Sequence, residues 1–542
     1  MVNFLSQDMF IYAYNDMSAY LVQGMGLKHS INYFPIFNSH NFISNIDFIN
    51  SVINYFLFIF FNPLLVMYIL GLVYLLISFF ISIKLFFKLN KNIVWSIIFS
   101  SLYSFSIFYV YRIVSFTPNL YQVFFFPLLV FILYQKNIKP IKLGLLLFLF
   151  FSFSSYYAFF SSLVVLFWFL SEVFINQSSY KIKTWNFCKK SILVFVPLFV
   201  LLIIVYSPLL LKNLTFITAT NNTNEIRYRT IEEYYSFTFR PWYFLIPPQS
   251  SVFFGEFSKN TYNRLEKTGY YLADDYSERE MGGSYMGWHF ILGTIFILLL
   301  LVFAKSKRYS LFFINSFKNK DIIIKSFIII FCLLLISQPP SFTISGVTIY
   351  TPSYILYHIV PAFRALVRLS VVIYLFVLII NYFLILDLYQ IAKSKMQKFV
   401  FIITFCLLNF IIFAVSVPTV NFNSPSSEMS FLKNLTDKSI VYAVYPNGDY
   451  YSIFWMLYHK HKMINPVNFV NTSNGFKSNE FSESLNTVKG IEKLKNLNVN
   501  YLILYKNRVQ LQQVKSLDTF FLKNLGNKVF ENSNSVIYKV EY

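Results

Sequence analysis

The sequence is poor in charge, glycine and cysteine. Only 13% of its 542 residues are charged while 56% are hydrophobic, against about 25% charged in an ordinary soluble domain. So much apolar surface stays soluble in water only if it is buried, and its arrangement in separate runs of roughly 16–25 residues matches the length of membrane-crossing helices. The three cysteines, Cys188, Cys332 and Cys406, lie far apart with no CxxC spacing, which excludes a disulfide framework and a cysteine zinc site. A basic stripe is also missing. The formal charge of +21 comes from short clusters between apolar runs, the pattern of cytoplasmic membrane loops and not of a nucleic-acid surface. No cleavable signal peptide is visible in Met1–Ser51, which lacks both a basic start and a long apolar core. Internal repeats of the kind that build two-fold transporters are absent as well.

What is present is a ladder of candidate spans. They are Pro63–Phe87, Ile93–Arg112, Asn119–Tyr134, Leu143–Ser154, Tyr157–Ile175, Ile192–Leu211, Met286–Ala304, Ile322–Gln338, Leu369–Tyr389 and Phe399–Val417. Leu143–Ser154 is short and abuts its neighbour, so the two read as a broken helical pair. Lysine clusters at 88–91, 136–142, 181–190, 305–320 and 393–398 fall on every second connection. The positive-inside rule then places those loops in the cytoplasm and both termini outside. The expected fold is a polytopic α-helical membrane protein with about ten spans and a small C-terminal α/β soluble domain. Its parts are an extracytoplasmic segment 1–62 with interfacial helices, a multipass region 63–417 with a large outer loop 212–285, and an extracytoplasmic domain 418–542. Residues 1–62 would need a preceding membrane helix, and the reading expects one to be missing from this sequence. In the C-terminal part, Ser439–Tyr445 and Tyr501–Tyr505 read as buried strands, Val488–Leu497 and Val509–Leu525 as helices, and Lys528–Tyr542 as two β-prone runs around a turn. No Gly-rich phosphate loop is among them.

Ionisable residues are nearly absent from the spans. Glu172, Lys325 and Asp387 are among the few, all near span ends, which argues against an ion-coupled pump with its intramembrane acids. Polar chemistry gathers instead in outer loops. Asp8 and Asp16 read either as a general base or a divalent-metal ligand just outside the bilayer, or as a helix cap and a solvated charge. Loop 212–285 suits a lid over a cleft, and its Glu280 stands at the membrane rim. Arg364 and Arg368, four apart, share a helical face and suit a phosphate, while the plain alternative has each reaching to lipid headgroups. Arg112 is a third candidate for the same anion. His459 and His461 read as surface histidines, since no cysteine completes a metal set.

This layout resembles the GT-C class of multipass membrane glycosyltransferases, in a bacterial branch with a C-terminal extracytoplasmic α/β domain. The resemblance is carried by Gln7-Asp8-Met9, Asn62-Pro63, Phe126-Pro127-Leu128 with Ser154-Ser155-Tyr156-Tyr157, Pro247-Pro248, Glu280 with Tyr285-Met286-Gly287, and Pro361-Ala362-Phe363-Arg364 with Arg368. It implies transfer of a sugar from a polyprenyl-phosphate donor to an envelope glycan or protein acceptor, outside the cytoplasmic membrane of a bacterium. By resemblance Asp8 is the acidic catalytic residue and the arginines hold the lipid phosphate. The implied partners are membrane lipids, the lipid-linked sugar and the acceptor, with no nucleic acid, and a divalent metal is a candidate cofactor. A different reading of the same scaffold is a non-catalytic envelope protein or a lipid-linked glycan transporter.

Overall fold

The structure is a computed structural model. It describes the chain from residue 49 onward except 51–52, 54–55, 58–62, 115–116, 118–119, 136–138, 176–179, 220–230, 267–279, 304–312, 345–346, 360–362, 364, 417–425, 436–439, 447–458, 460 and 464–477. Asp8, Asp16 and Arg364 therefore lie outside the described residues. Two compact units are present, 41–417 and one that includes 418–542.

The first unit is helical and membrane-embedded. It begins with α1 (Pro63–Asn90), α2 (Ile93–Ser104), α3 (Ile107–Val114) and α4 (Phe125–Leu133). These are followed by α5 (Pro140–Phe153), α6 (Ser155–Ile175) and α7 (Tyr180–Ala219). Three short helices, α8 (Ile231–Phe237), α9 (Trp242–Leu245) and α10 (Gly255–Glu266), precede α11 (Trp288–Phe303), α12 (Ile314–Lys318) and α13 (Lys320–Ser337). The hairpin β1 (Ser341–Ile344) and β2 (Val347–Tyr350) leads to α14 (Pro352–Ile359), α15 (Ser370–Ile391) and α16 (Lys395–Phe413). Among the described residues five helices are long and apolar enough to cross a bilayer, and a sixth span results if α2 and α3, bent by 45°, count as one. The third expected span, Asn119–Tyr134, falls short of that length. Its helix α4 has nine residues, about 13 Å at the α-helical rise, too short to cross.

The described chain before α4 is irregular, and tyrosine hydroxyls satisfy two of its carbonyls. Tyr157 Oη donates to Leu120 O at 2.8 Å and Tyr103 Oη to Val123 O at 3.0 Å. Non-helical backbone at this depth survives only when protein groups replace the missing water. Ser154, extended, separates α5 from α6, and α6 is long enough to cross a bilayer by itself.

Burial ranks the helices. The span at α15 is 94% buried, whereas those at α7 and α16 are 11% and 17% buried. So α15 is the central post, apolar on all sides because every side meets protein, and α7 and α16 face lipid. At Gly144 a Cβ would come within 2.4 Å of Val194 O, so a glycine is needed for α5 and α7 to approach this closely. Among the described residues, Asp387 and Glu172 both have hydrogen-bonding partners on neighbouring elements. Asp387 accepts from Asn315 N and Nδ2 and from Ser316 N and Oγ at 2.6–3.0 Å. Glu172 accepts from Lys190 at 2.6 Å and lies 3.5 Å from Lys325.

The second unit carries α17 (Ser427–Lys433), β3 (Val441–Tyr445), β4 (Lys462–Met463), α18 (Ser478–Ser484) and α19 (Val488–Asn496), then β5 (Tyr501–Tyr505), α20 (Leu511–Leu525), β6 (Lys528–Glu531) and β7 (Ser535–Lys539). The sheet order is β4-β3-β5-β7-β6, with β3 parallel to β4 and β5, and β7 antiparallel to β5 and β6. Thr487 caps α19 by accepting from Gly490 N at 3.2 Å. Ile491 and Leu494 on α19 and Phe521 and Leu525 on α20 fill the core with Leu502, Leu504, Val536 and Tyr538. His459 and His461 are not surface histidines. Both are buried, with rings stacked 5.5 Å apart, because Tyr442 Oη meets His459 Nε2 at 3.2 Å and Leu432 O meets His461 Nε2 at 2.7 Å.

Candidate functional site

Arg112 ends α3, whose start at Ile107 follows the bend after α2. The segment that follows Arg112 turns back on it, with Thr117 N and Oγ1 both donating to Arg112 O at 3.2 Å. Glu280 stands just before a 3-10 turn, Gly282–Ser284, that packs on α3. This approach is close. A Cβ on Gly283 would sit 3.1 Å from Phe108 Cα, so a larger residue would push the Glu280 turn off α3. Arg368 lies in a second 3-10 turn, Leu366–Leu369, which opens directly into α15.

These three residues meet. Arg112 Nη1 and Nη2 donate to Glu280 Oε1 and Oε2 at 2.9 and 2.6 Å. Arg368 Nε and Nη2 donate to Glu280 Oε2 and Oε1 at 3.1 and 2.8 Å. Each guanidinium uses its fork on the same carboxylate, the geometry that makes such charge-assisted bonds strong and directional. Arg112 and Glu280 are fully buried, while the Arg368 side chain is 12% exposed. The guanidiniums also lie over aromatic faces, Arg112 over Phe108 at 4.5 Å and Arg368 over Tyr156 at 4.9 Å. Phe363 stacks on Phe159 at 4.4 Å and meets Tyr156 edge-on, so the aromatic wall continues past Arg368.

The segment before Glu280 also packs on the cluster. Phe239, Tyr243, Ile246 and Tyr262 form a small core with Met281 and Val367, the immediate neighbours of Glu280 and Arg368. Ser284 Oγ lies within bonding distance of both Glu280 O (3.2 Å) and Ser370 Oγ (3.1 Å), which links the two 3-10 turns. Tyr111 Oη pairs with Ser250 Oγ beside the same loop. Residues 239–262 therefore pack directly against the neighbours of the charged cluster.

Of the residues singled out from sequence, Arg112, Glu280 and Arg368 come together, although 168 and 88 residues separate Glu280 from its two partners. Phe108 and Ser284 carried no chemical signal of their own and were not singled out. The clue for the pairing was indirect, in that Arg112 and Glu280 are opposite charges at the edges of apolar runs. Among the described residues no three His, Cys, Asp or Glu side chains converge as metal ligands would.

No family model matches the chain, and no curated protein matches it either. A solved structure, ArnT from Cupriavidus metallidurans bound to undecaprenyl phosphate, aligns over 99% of this chain and 94% of that chain, at 10% identity and a TM-score of 0.38. A likeness of that size supports no functional argument.

Proposed function

We propose that the chain is a GT-C-type membrane glycosyltransferase that takes a sugar from a polyprenyl-phosphate donor to a cell-envelope acceptor on the outer face of the cytoplasmic membrane. The observation that supports this reading is the buried Arg112–Glu280–Arg368 cluster beneath an ordered outer loop. A lipid phosphate is an anion that arginines beside apolar membrane helices would meet. Arg368, the most accessible of the three, would face it, and Glu280 with Arg112 would hold Arg368 in place. The aromatic wall of Tyr156, Phe159 and Phe363 suits the isoprenoid or sugar that adjoins the phosphate. Asp8 would supply the base that deprotonates the acceptor hydroxyl, a role that comes from the resemblance of the sequence, and Asp8 or Asp16 is the candidate carboxylate for a divalent metal.

The reading is tested with purified protein in nanodiscs and a panel of short-chain polyprenyl-phosphate sugars, by following release of polyprenyl phosphate with and without envelope glycans. Turnover by the wild type that Asp8→Asn abolishes and Arg368→Gln reduces at least tenfold is expected. Donor binding with no release for any sugar would favour the transporter or non-catalytic alternative. Failure to bind any member of the panel would refute both.

A further inference from the structure

The segment between α13 and α15 presents an apolar face that the site does not use. From Pro339 to Phe363, 25 residues, the sequence has no Asp, Glu, Lys or Arg. It is nonetheless a built element. Ser341–Ile344 and Val347–Tyr350 pair in antiparallel register. The hairpin is closed at its base by Thr351, whose N–H donates to Pro340 O at 3.0 Å and whose hydroxyl donates to Pro339 O at 2.5 Å. Tyr235 pairs through its hydroxyl with Ser341 Oγ, and Tyr234 meets Tyr357 edge-on at 5.1 Å, so α8 fixes both the hairpin and α14.

On this firm frame the large apolar side chains point outward. Val347, Tyr350, Ile355 and Ile359 are 64, 63, 61 and 70% exposed. Ile355 and Ile359 are four apart and share one face of α14. Tyr350, Tyr354 and His358 form a rail of rings with 4.6 Å between successive centroids. Helices of this chain that face water look different. On α19 the outward positions are Lys489, Glu492, Lys493 and Lys495, and α10 carries Glu256, Lys259 and Arg264. A charge-free exposed patch of this extent is the signature of an interaction surface.

We propose that the β1–β2 hairpin and α14 lie in the headgroup–acyl boundary of the bilayer, with Val347, Ile355 and Ile359 in the lipid and the Tyr350–Tyr354–His358 rail at headgroup level. Continuity decides for lipid over another protein. The helix α14 packs on α13, whose Phe331 and Leu335 are themselves 60% and 41% exposed on one apolar face, and the segment ends where the buried span of α15 begins. Apolar faces with aromatic residues at their margin are what interfacial elements present to a membrane. The element then fixes the depth of the Leu366–Leu369 turn that carries Arg368. It stands at the end of α15 opposite Lys393, Lys395 and Lys398.

The test places nitroxide labels at Val347→Cys and Ile355→Cys, with Glu492→Cys as the water-facing control, after Cys188, Cys332 and Cys406 are changed to serine. In nanodiscs, oxygen should relax the labels at 347 and 355 several-fold more than a water-soluble nickel chelate does, and the order should reverse at 492. Dominance of the nickel chelate at 347 and 355 means water exposure and overturns the proposal. Low access to both reagents means that protein covers the face, and overturns it equally. The unmodified protein supplies a second arm. A phospholipid with a photoreactive group near its glycerol should form adducts within Val347–Ile359, and adducts at Phe331 and Leu335 without any in that peptide would also refute the assignment.

Discussion

Replacing Glu280 with glutamine tests whether the three-residue cluster is a real structural and electrostatic unit. The change removes one negative charge from between two guanidiniums that reach it through four bonds of 2.6–3.1 Å, with Arg112 and Glu280 fully buried and Arg368 nearly so. Breaking a buried ion pair by deleting one partner costs about 3–5 kcal/mol, because the remaining charge keeps its desolvation penalty. Glu280→Gln is therefore expected to destabilise the membrane unit by about 4 kcal/mol. Replacing all three with apolar residues of similar volume, Arg112→Met, Glu280→Leu and Arg368→Met, removes the charges together. That variant should be at least ~2 kcal/mol more stable than Glu280→Gln, since apolar replacement of a whole buried ionic group is often neutral or better. The assay is reversible unfolding of the purified protein in mixed micelles of mild detergent and dodecyl sulfate. If Glu280→Gln unfolds within ~1 kcal/mol of the wild type, the range of solvent-exposed pairs, the cluster is not the buried unit described above and the proposed site loses its foundation.

Arg368→Lys keeps the charge but cannot place two donors on Glu280, so it should weaken binding of short-chain polyprenyl phosphate by about tenfold at fixed salt, one charge-assisted bond's worth. Affinity within twofold of wild type in nanodiscs would remove Arg368 from the site. In the C-terminal unit, burial and then the neighbouring His461 push His459 down to about 3. Its Nδ1 accepts from His461 N at 3.1 Å, so the neutral ring carries its proton on Nε2. The unfolded chain therefore binds a proton on His459 below about 6.5 that the folded chain refuses. Stability is then full above that pH and declines toward pH 3. His459→Gln should flatten that part of the pH–stability curve, and an unchanged slope would refute the buried neutral histidine. Topology is checked with a membrane-impermeant thiol reagent on intact cells: Ser478→Cys should label and Ser179→Cys should not, in a cysteine-free chain. Labelling of both would overturn the assignment from lysine clusters.

Local chemistry in this protein was legible without coordinates. Apolar runs such as those of α1, α6 and α15 imply membrane helices because a bilayer admits no other common use for that length of hydrocarbon. The strands at Val441–Tyr445 and Tyr501–Tyr505 and the helices on either side of the second follow from alternation and helical spacing over fewer than twenty residues. Arg112, Glu280 and Arg368 could be singled out because charge is rare beside apolar runs and must have a partner there. Their mutual contact could not be read. It joins three segments spread over more than 250 residues, and it depends on how α3 and two 3-10 turns pack around α15. Hydropathy also overstated the third span, since it reports the apolar character of Asn119–Tyr134 and not that tyrosine hydroxyls satisfy an irregular backbone there. It misplaced His459 and His461, whose polarity says surface until a sheet and two hydrogen-bond partners close over them. Sequence period therefore determined which elements form and which medium they enter. Only the packing of distant elements decided which charges meet, because a contact between segments far apart in the chain leaves no periodic trace in either one.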